Sequence, residues 1–510
     1  MKIHKSILAA LAVLGLVALL FTAAHHSVLA ADRADAAAFL TEAEKAPTLR
    51  ANLQELTDEI GGRVPGTAAM DKAVAWGVEK FKAAGADSVL TESFPIEHGW
   101  AEGATRVTVG VPAPGGSGPS AEFGVRAVSL GWGPAAHLSH VPVVDLGEAN
   151  PEDFARAAAL PGGLEGKAIL VHTSIGKTWE NLFAEYMHTP VVVEAAIRAK
   201  AAAILLQSTR PQDLLYRHTN ADHGEIERIP ALILAREDAD RIARLLAAKK
   251  PATIDISLPN QITGPIQAAN VVAEIKGSEK PDEYVVLGAH LDSWELGTGA
   301  LDNGCNAALV VEALHAIKAA GWKPRRSIRF ILFSGEEEGL MGSRAYVRQH
   351  RADMDRYIAA VIFDSGTGRV TGFSLGGRKD VTLAAAAIVA PLNAWNAATL
   401  TTDAESGTDH MDFLLEGVPT LVANQEEANY LPNYHASSDT FDKVDFPNLQ
   451  RHVAEAALVA FRLADAPERL GPRLSRKEIE QTLIETGLDK QMQGFGQWPD
   501  WESGKRGRSE

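Results

Sequence analysis

A single cysteine, Cys305, serves a chain of 510 residues, so no internal disulfide is available and the fold must rest on its core. Positive charge is also short. The formal net charge is −16, and −18 once a leader carrying Lys2 and Lys5 is set aside, which argues against nucleic acid as a partner because an acidic surface repels phosphate. Beyond the leader no apolar stretch is long enough to span a bilayer, and no internal repeat is present. What remains, 46% apolar and 22% charged, is globular, and 510 residues are too many for one ordinary core. Two or three domains are expected.

The leader itself reads as an address. Lys2 and Lys5 precede the apolar stretch Ile7–Ala24, and Val28-Leu29-Ala30 offers the small residues that a signal peptidase needs. Residues 1–30 are therefore expected to be a cleaved secretory signal rather than a retained anchor, because the polar ADRADA segment follows at once. The mature chain should be exported, to the periplasm or outside the cell, with no stable membrane insertion after cleavage.

Chemistry concentrates in two clusters, GAHLDSWELGTGALDNG at 288–304 and FSGEEEGLMGS at 333–343. The run YVVLGA at 284–289 is β-prone and continuously apolar, as in a buried parallel strand, and leads straight into His290. Asp292, Asp302, Asn303 and Gly304 follow in a loop, and Ala307–Ala320 has helical periodicity ending at Gly321. A second strand, Ser327–Ser334, delivers Glu336, Glu337 and Glu338, and a third, Tyr357–Phe363, delivers Asp364. Open α/β sheets bind ligands outside the carboxyl ends of their strands, so these groups all face one crevice. Taken singly, a histidine after a strand is more often structural, and a glutamate triplet is usually a solvated helix start favoured by the helix dipole. Their convergence at one end of successive strands is what points to a metal-dependent hydrolase.

In this order, HxD, ALDNG, GEEEGLMGS, a strand-terminal aspartate and NYHASSDTFD, the chain resembles the zinc-dependent exopeptidases with co-catalytic metals, the aminopeptidase and glutamate carboxypeptidase group. The resemblance covers nearly the whole mature chain. It implies a three-layer α/β/α catalytic domain with an inserted protease-associated domain, two zinc ions per chain, a peptide substrate and a homodimer. By the same resemblance His290 and Asp364 bind one zinc, Glu337 and His435 the other, and Asp302 bridges them; Glu336 is the general base and Asp292 orients a ligand histidine. Two zinc ions roughly 3.5 Å apart polarise a peptide carbonyl and lower the pKa of a water from about 15.7 toward about 7. An adjacent unligated carboxylate then has a proton to take.

The substrates implied are unblocked dipeptides or short peptides, with aminopeptidase, dipeptidase and carboxypeptidase action all open. Two other readings stay open as well: a catalytically silent receptor-type binding protein on the same fold, and an amide-processing enzyme such as a glutaminyl cyclase. Asp409 and His410, in SGTDHMDFLLEGVPTL, match a family segment beside the site and are candidates for substrate binding. Tyr430 and Tyr434 flank the last ligand; either Tyr434 or Tyr430 is placed to donate to a developing oxyanion, the alternative being aromatic packing. Asp439 is a candidate to hold its loop through backbone contacts. His315 reads as a surface or packing residue, Glu338 as solvated or as a helix-start charge, and Cys305 as a small apolar residue under the metal loop.

Organisation follows. Residues 34–118 and 265–466 should form the catalytic domain, with the turn GGRVPGT, a helix over Ala68–Ala84 and a strand over Ser88–Pro95 packing on its sheet. The Gly/Pro/Ser-rich stretch VPAPGGSGPS at 111–120 marks a boundary. Residues 119–264 then alternate strand and helix signals and should be the inserted domain. Residues 467–510 form a C-terminal extension, with KEIEQTLIETGLDKQ as one helix and a loose end from Gly494.

Overall fold

The computed structural model describes residues 35–113, 119–159, 161–219 and 224–509, so the expected signal segment lies outside the described residues. Two eight-stranded sheets organise a mixed α/β chain. The first has the order Ser88–Ile96, Ile266–Ile275, Arg326–Phe333, Lys280–His290, Tyr357–Ile362, Thr420–Gln425, Val370–Ser374, Thr399–Thr401. Its centre is parallel: Lys280–His290 pairs with Arg326–Phe333 on one side and with Tyr357–Ile362 on the other, and the latter pairs with Thr420–Gln425. The strand pleat sends successive side chains to opposite faces. Val285 and Leu287 enter a core against the helices Ala68–Ala83, Cys305–Ala319 and Phe446–Asp465, while Val286 enters a second core with Tyr346 and Phe413 from the helices Met341–Gln349 and His410–Leu415. Burial on both faces explains why these strands read as unbroken apolar runs.

The second sheet runs Pro119–Val125, Arg106–Pro112, Thr253–Leu258, Ala136–Gly147, Ala168–Val171, Ala203–Gln207, Ala231–Leu234, Ala127–Ser129. Where the chain passes between the sheets, outgoing Gly99–Ala101 pairs antiparallel with returning Gln261–Thr263. Arg106–Pro112 pairs with Pro119–Val125, so the stretch read as a boundary falls between two partnered strands of one sheet, and the second sheet begins before it. Composition alone does not distinguish a connection between paired strands from a linker between domains.

The C-terminal region also departs from expectation. KEIEQTLIETGLDKQ contributes to two helices, Arg476–Thr486 and Leu488–Gly494, broken at Gly487 with φ 78°. The end expected to be loose forms the helix Trp498–Glu502, with Trp501 buried beside Met411 and Leu414. Arg506, also buried, makes two bonds of 2.9 and 2.8 Å to the buried carboxylate of Asp412. One aromatic anchor and one bidentate pair hold a segment whose average composition is polar.

Candidate metal centre

His290 closes its strand, Glu336 and Glu337 follow Phe333, and Asp364 follows Phe363, so the parallel centre of the first sheet delivers all four to one edge. Asp302 comes from the loop after His290 and His435 from the loop after Thr420–Gln425. The five candidate ligands form two groups of potential donors, His290 with Asp302 and Asp364, and Asp302 with Glu337 and His435. Asp302 belongs to both. Its Oδ1 lies 3.3 Å from His290 Nε2 and its Oδ2 lies 3.3 Å from His435 Nε2. Asp364 Oδ1 is 3.0 Å from His290 Nε2, and Glu337 Oε2 is 2.8 Å from His435 Nε2.

Both imidazoles are oriented from behind. His290 Nδ1 lies 3.1 Å from the backbone oxygen of Asp292, and His435 Nδ1 lies 2.9 Å from that of Arg217. Each Nδ1 is thereby assigned as the protonated nitrogen and each Nε2 is left to face the carboxylates. Asp292 is buried where the sequence places it, yet its contact to His290 runs mainly through its backbone oxygen; its Oδ1 stands 3.7 Å away and its Oδ2 accepts the Glu337 amide at 3.2 Å.

Electrostatics agree with a cation site. Burial opposes charge on His290, but Asp364, Asp292 and Asp302 outweigh it and raise its pKa well above the ordinary value. His435 is pushed up to about 9, with burial again opposed by Glu337 and Asp302. Burial, aided by Asp302, pushes Glu337 up to about 7, and burial with Asp364, Glu337 and Asp409 raises Glu336 well above the usual carboxylate range. Asp302 is held below that range, the two histidines outweighing its burial. Asp302 Oδ2 and Glu337 Oε1 are buried without a hydrogen-bond partner. Nitrogen and carboxylate donors that draw protons into a buried cluster, with oxygens left over, suit zinc, whose binding would release those protons.

Other candidates separate. Asp409 is buried beside the cluster, where His290, Asp364 and Asp292 all act on it. His410 faces away: burial lowers its pKa to about 4, and the groups that act on it are Glu405, Asp412 and Thr408. Tyr434 stacks on His435 with ring centroids 3.7 Å apart. Asp439 accepts the amides of Ala300, Leu301 and Asp302 at 3.1, 2.7 and 3.1 Å, so it holds the Asp302 loop rather than its own. Glu338, expected to be solvated, is 1% exposed; the turn after the second strand carries it inward. Cys305 is buried, its thiol 3.3 Å from the Leu301 oxygen and pushed up by burial. His315 is half-buried against Glu312.

Three contributors were not singled out in the sequence. Arg63, inside GGRVPGT, is fully buried and donates to the backbone oxygens of Leu291, Gly61, Thr298 and Gly299 at 2.6 to 2.9 Å, tying down the loop between His290 and Asp302. His218, from the second sheet's side, brings its Nδ1 to 2.9 Å from His435 Nδ1. The Tyr186 hydroxyl lies 3.0 Å from both His218 Nδ1 and the Tyr434 hydroxyl. Burial first, then Glu337, Glu185 and Glu336, raise the Tyr186 phenol well above its ordinary value.

Fold and donor set together define a zinc metallopeptidase. The model of Peptidase family M28 matches residues 270–460, the stretch carrying all five candidate ligands, and with the likenesses that follow it supports that family. Carboxypeptidase Q of Rattus norvegicus is 28% identical over 81% of this chain and 85% of its own length. Among solved structures, a peptidase M28 precursor from Shewanella amazonensis is 26% identical with a TM-score of 0.76, covering 87% of this chain and 99% of that one. A zinc aminopeptidase from Bacillus subtilis, 17% identical with a TM-score of 0.63 and covering 85% and 98%, shares the fold.

Proposed function

We propose that this chain is an exported exopeptidase that cuts unblocked dipeptides or short peptides at a two-zinc site, with Glu336 as general base. The observation that carries the two-metal reading is Asp302, whose two oxygens face two separate imidazoles, each with its own further carboxylate. A shared carboxylate that offers one oxygen to each of two cations offsets their repulsion. When bound, zinc would supply Lewis-acid polarisation of the scissile carbonyl and acidification of water. His290 and Asp364 would hold one ion, Glu337 and His435 the other.

Glu336 makes no bond within either donor group, and its burial keeps its proton affinity high. That combination suits a group that accepts a proton from attacking water and passes it to the leaving amine. Asp292 braces the Glu337 amide and His290, while Tyr434, its hydroxyl bonded to that of Tyr186, is the candidate donor toward a substrate oxygen. The second sheet is read as the inserted protease-associated unit. The contact of Arg217 with His435 supports its lying beside the candidate metal centre, where it would restrict access to a chain end. The carboxypeptidase Q likeness, over 81% of the chain, favours peptide hydrolysis over the receptor and cyclase readings.

The test compares Glu336→Gln with Glu337→Gln in the zinc-loaded protein. Glu336→Gln should abolish dipeptide turnover and keep two zinc ions; Glu337→Gln should lose one. Equal zinc loss in both would overturn the assignment. A dipeptide set against its N-acetylated and C-amidated forms and an internally quenched longer peptide tests exopeptidase action, which interior cleavage of the last would refute.

A further inference from the structure

Three separate parts of the chain bring aromatic rings to one side of the candidate metal centre. The helix Trp179–Arg198 aligns Trp179, Phe183 and Tyr186 at spacings of four and three, which places them along one face. Tyr186 is the inner end of this row, with its hydroxyl on Tyr434, which in turn stacks on His435. Trp179 lies across the same loop, its ring centroid 5.8 Å from Tyr430 and 6.1 Å from Tyr434, and its Nε1 donates to Glu427 at 3.1 Å. Phe495, from the C-terminal segment, meets Phe183 edge-on at 5.9 Å and Tyr186 at 6.3 Å.

Despite these contacts, Trp179 remains 45% exposed and Phe183 39% exposed. Large aromatic rings left to water together beside a catalytic cleft mark a binding surface rather than unfinished core. The seating of Phe495 is constrained as well. A Cβ on Gly494 would fall 1.9 Å from Met187 Cε, so a larger residue there would have to displace the end of the Met187 side chain. Trp501 and the Arg506–Asp412 pair then fix the same segment to the first sheet's helix His410–Leu415.

We propose that Trp179, Phe183 and Phe495 form a subsite for a large apolar or aromatic side chain of the peptide substrate, completed by the C-terminal segment outside the matched family region. This rests on the peptidase reading above. The occupant follows from continuity: the row of rings starts at the ring stacked on His435, so a peptide with its scissile bond at the metals lays a neighbouring side chain along it. Ring faces and edges recognise apolar and aromatic groups without fixing one identity.

The experiment uses the full-length zinc-loaded protein and two dipeptide panels, X-Ser and Ser-X, with X as Ala, Leu or Phe. In the panel that reads the subsite, Phe183→Ala and Phe495→Ala should each lower the kcat/KM ratio of Phe over Ala about 10-fold, and Phe183→Leu should lower it less. Zinc content should match wild type in all three. A ratio unchanged in both panels, or equal losses for every X, would overturn the subsite. If the wild type cleaves no dipeptide, calorimetric binding of the same panels to Glu336→Gln decides the question: a Phe-over-Ala preference that Phe183→Ala removes keeps the subsite and rejects the peptidase reading, and the absence of a preference rejects the subsite.

Discussion

Asp439→Asn is the sharpest probe of how the candidate metal loop is built. Asp439 is buried, its Oδ1 accepting the amides of Ala300 and Leu301 and its Oδ2 that of Asp302. The amide of asparagine has the same shape but only one oxygen. Oriented to keep the Ala300 and Leu301 bonds, it turns an NH2 group toward the Asp302 amide, donor facing donor. One hydrogen bond to a charged group is lost, worth about 1.5–3 kcal/mol, and a buried N–H is left without an acceptor. Asp302 is the carboxylate common to both donor groups, so its displacement should weaken both zinc ions together, by about 10- to 100-fold. Competition with a chromophoric chelator at fixed pH measures the two affinities, and urea unfolding of the metal-free protein measures the stability loss separately. Wild-type affinity at both sites, or a loss confined to one, would refute the assignment of Asp439 to the Asp302 loop.

Two further outcomes are expected. Arg217, fully buried, pairs with Glu102 and Glu295 at 2.5 and 2.7 Å while its backbone oxygen holds His435, so Arg217→Met should weaken the His435 zinc about 10-fold or more and spare the His290 zinc; equal weakening of both in the same chelator titration would count against it. His452 is buried with its Nε2 on the Gly368 oxygen, and burial lowers its pKa to about 4, so the unfolded chain takes up its proton first. Stability from this group is therefore complete above roughly pH 6.5 and falls as pH drops toward 4, by about 2 kcal/mol at pH 5, in wild type but not in His452→Gln, which urea titrations at pH 7.5 and 5 would show; identical pH slopes for the two proteins would disprove it.

Much of the site was legible because each strand-end group directly follows an unbroken apolar run. His290 and Asp364 cap such runs, Glu336 and Glu337 stand within four residues of one, and parallel strands put those ends together. Arg63 was not legible. Three of its four backbone-oxygen targets lie 228 to 236 residues away in sequence, and no side-chain pattern announces them. His218 and Tyr186 escaped for a related reason, since they lie in sequence between strands of the second sheet and reach the candidate ligand His435 and its neighbour Tyr434 only through its docking. Glu338 was misjudged because a triplet of like charges reads as solvated, whereas the turn after Phe333 carries all three inward, with Glu338 the deepest buried. The polar tail misled through averaging, as Trp501 and Arg506 are two residues in a segment dominated by charge.

The docking of the second sheet bears on the metal centre itself. His435 has φ 58°, a left-handed conformation that costs a non-glycine residue about 1–2 kcal/mol unless its surroundings impose it. Those surroundings belong to the other sheet's side. The Arg217 amide donates to the His435 oxygen at 3.0 Å, the Ser437 amide donates to the Leu215 oxygen at 3.0 Å, and Tyr216 bridges Ala436 antiparallel. These two hydrogen bonds, which form the one bridge, bracket the last candidate ligand, and Arg217 anchors the bracket to Glu102, just past the strand Gly99–Ala101 through which the chain leaves the first sheet. Were the second sheet a detachable cover, His435 would relax to a right-handed or extended conformation and its Nε2 would swing away from Glu337. The bonds from the segment 215–217 therefore set the conformation of one candidate ligand, and a displacement of the second sheet that broke them would release it.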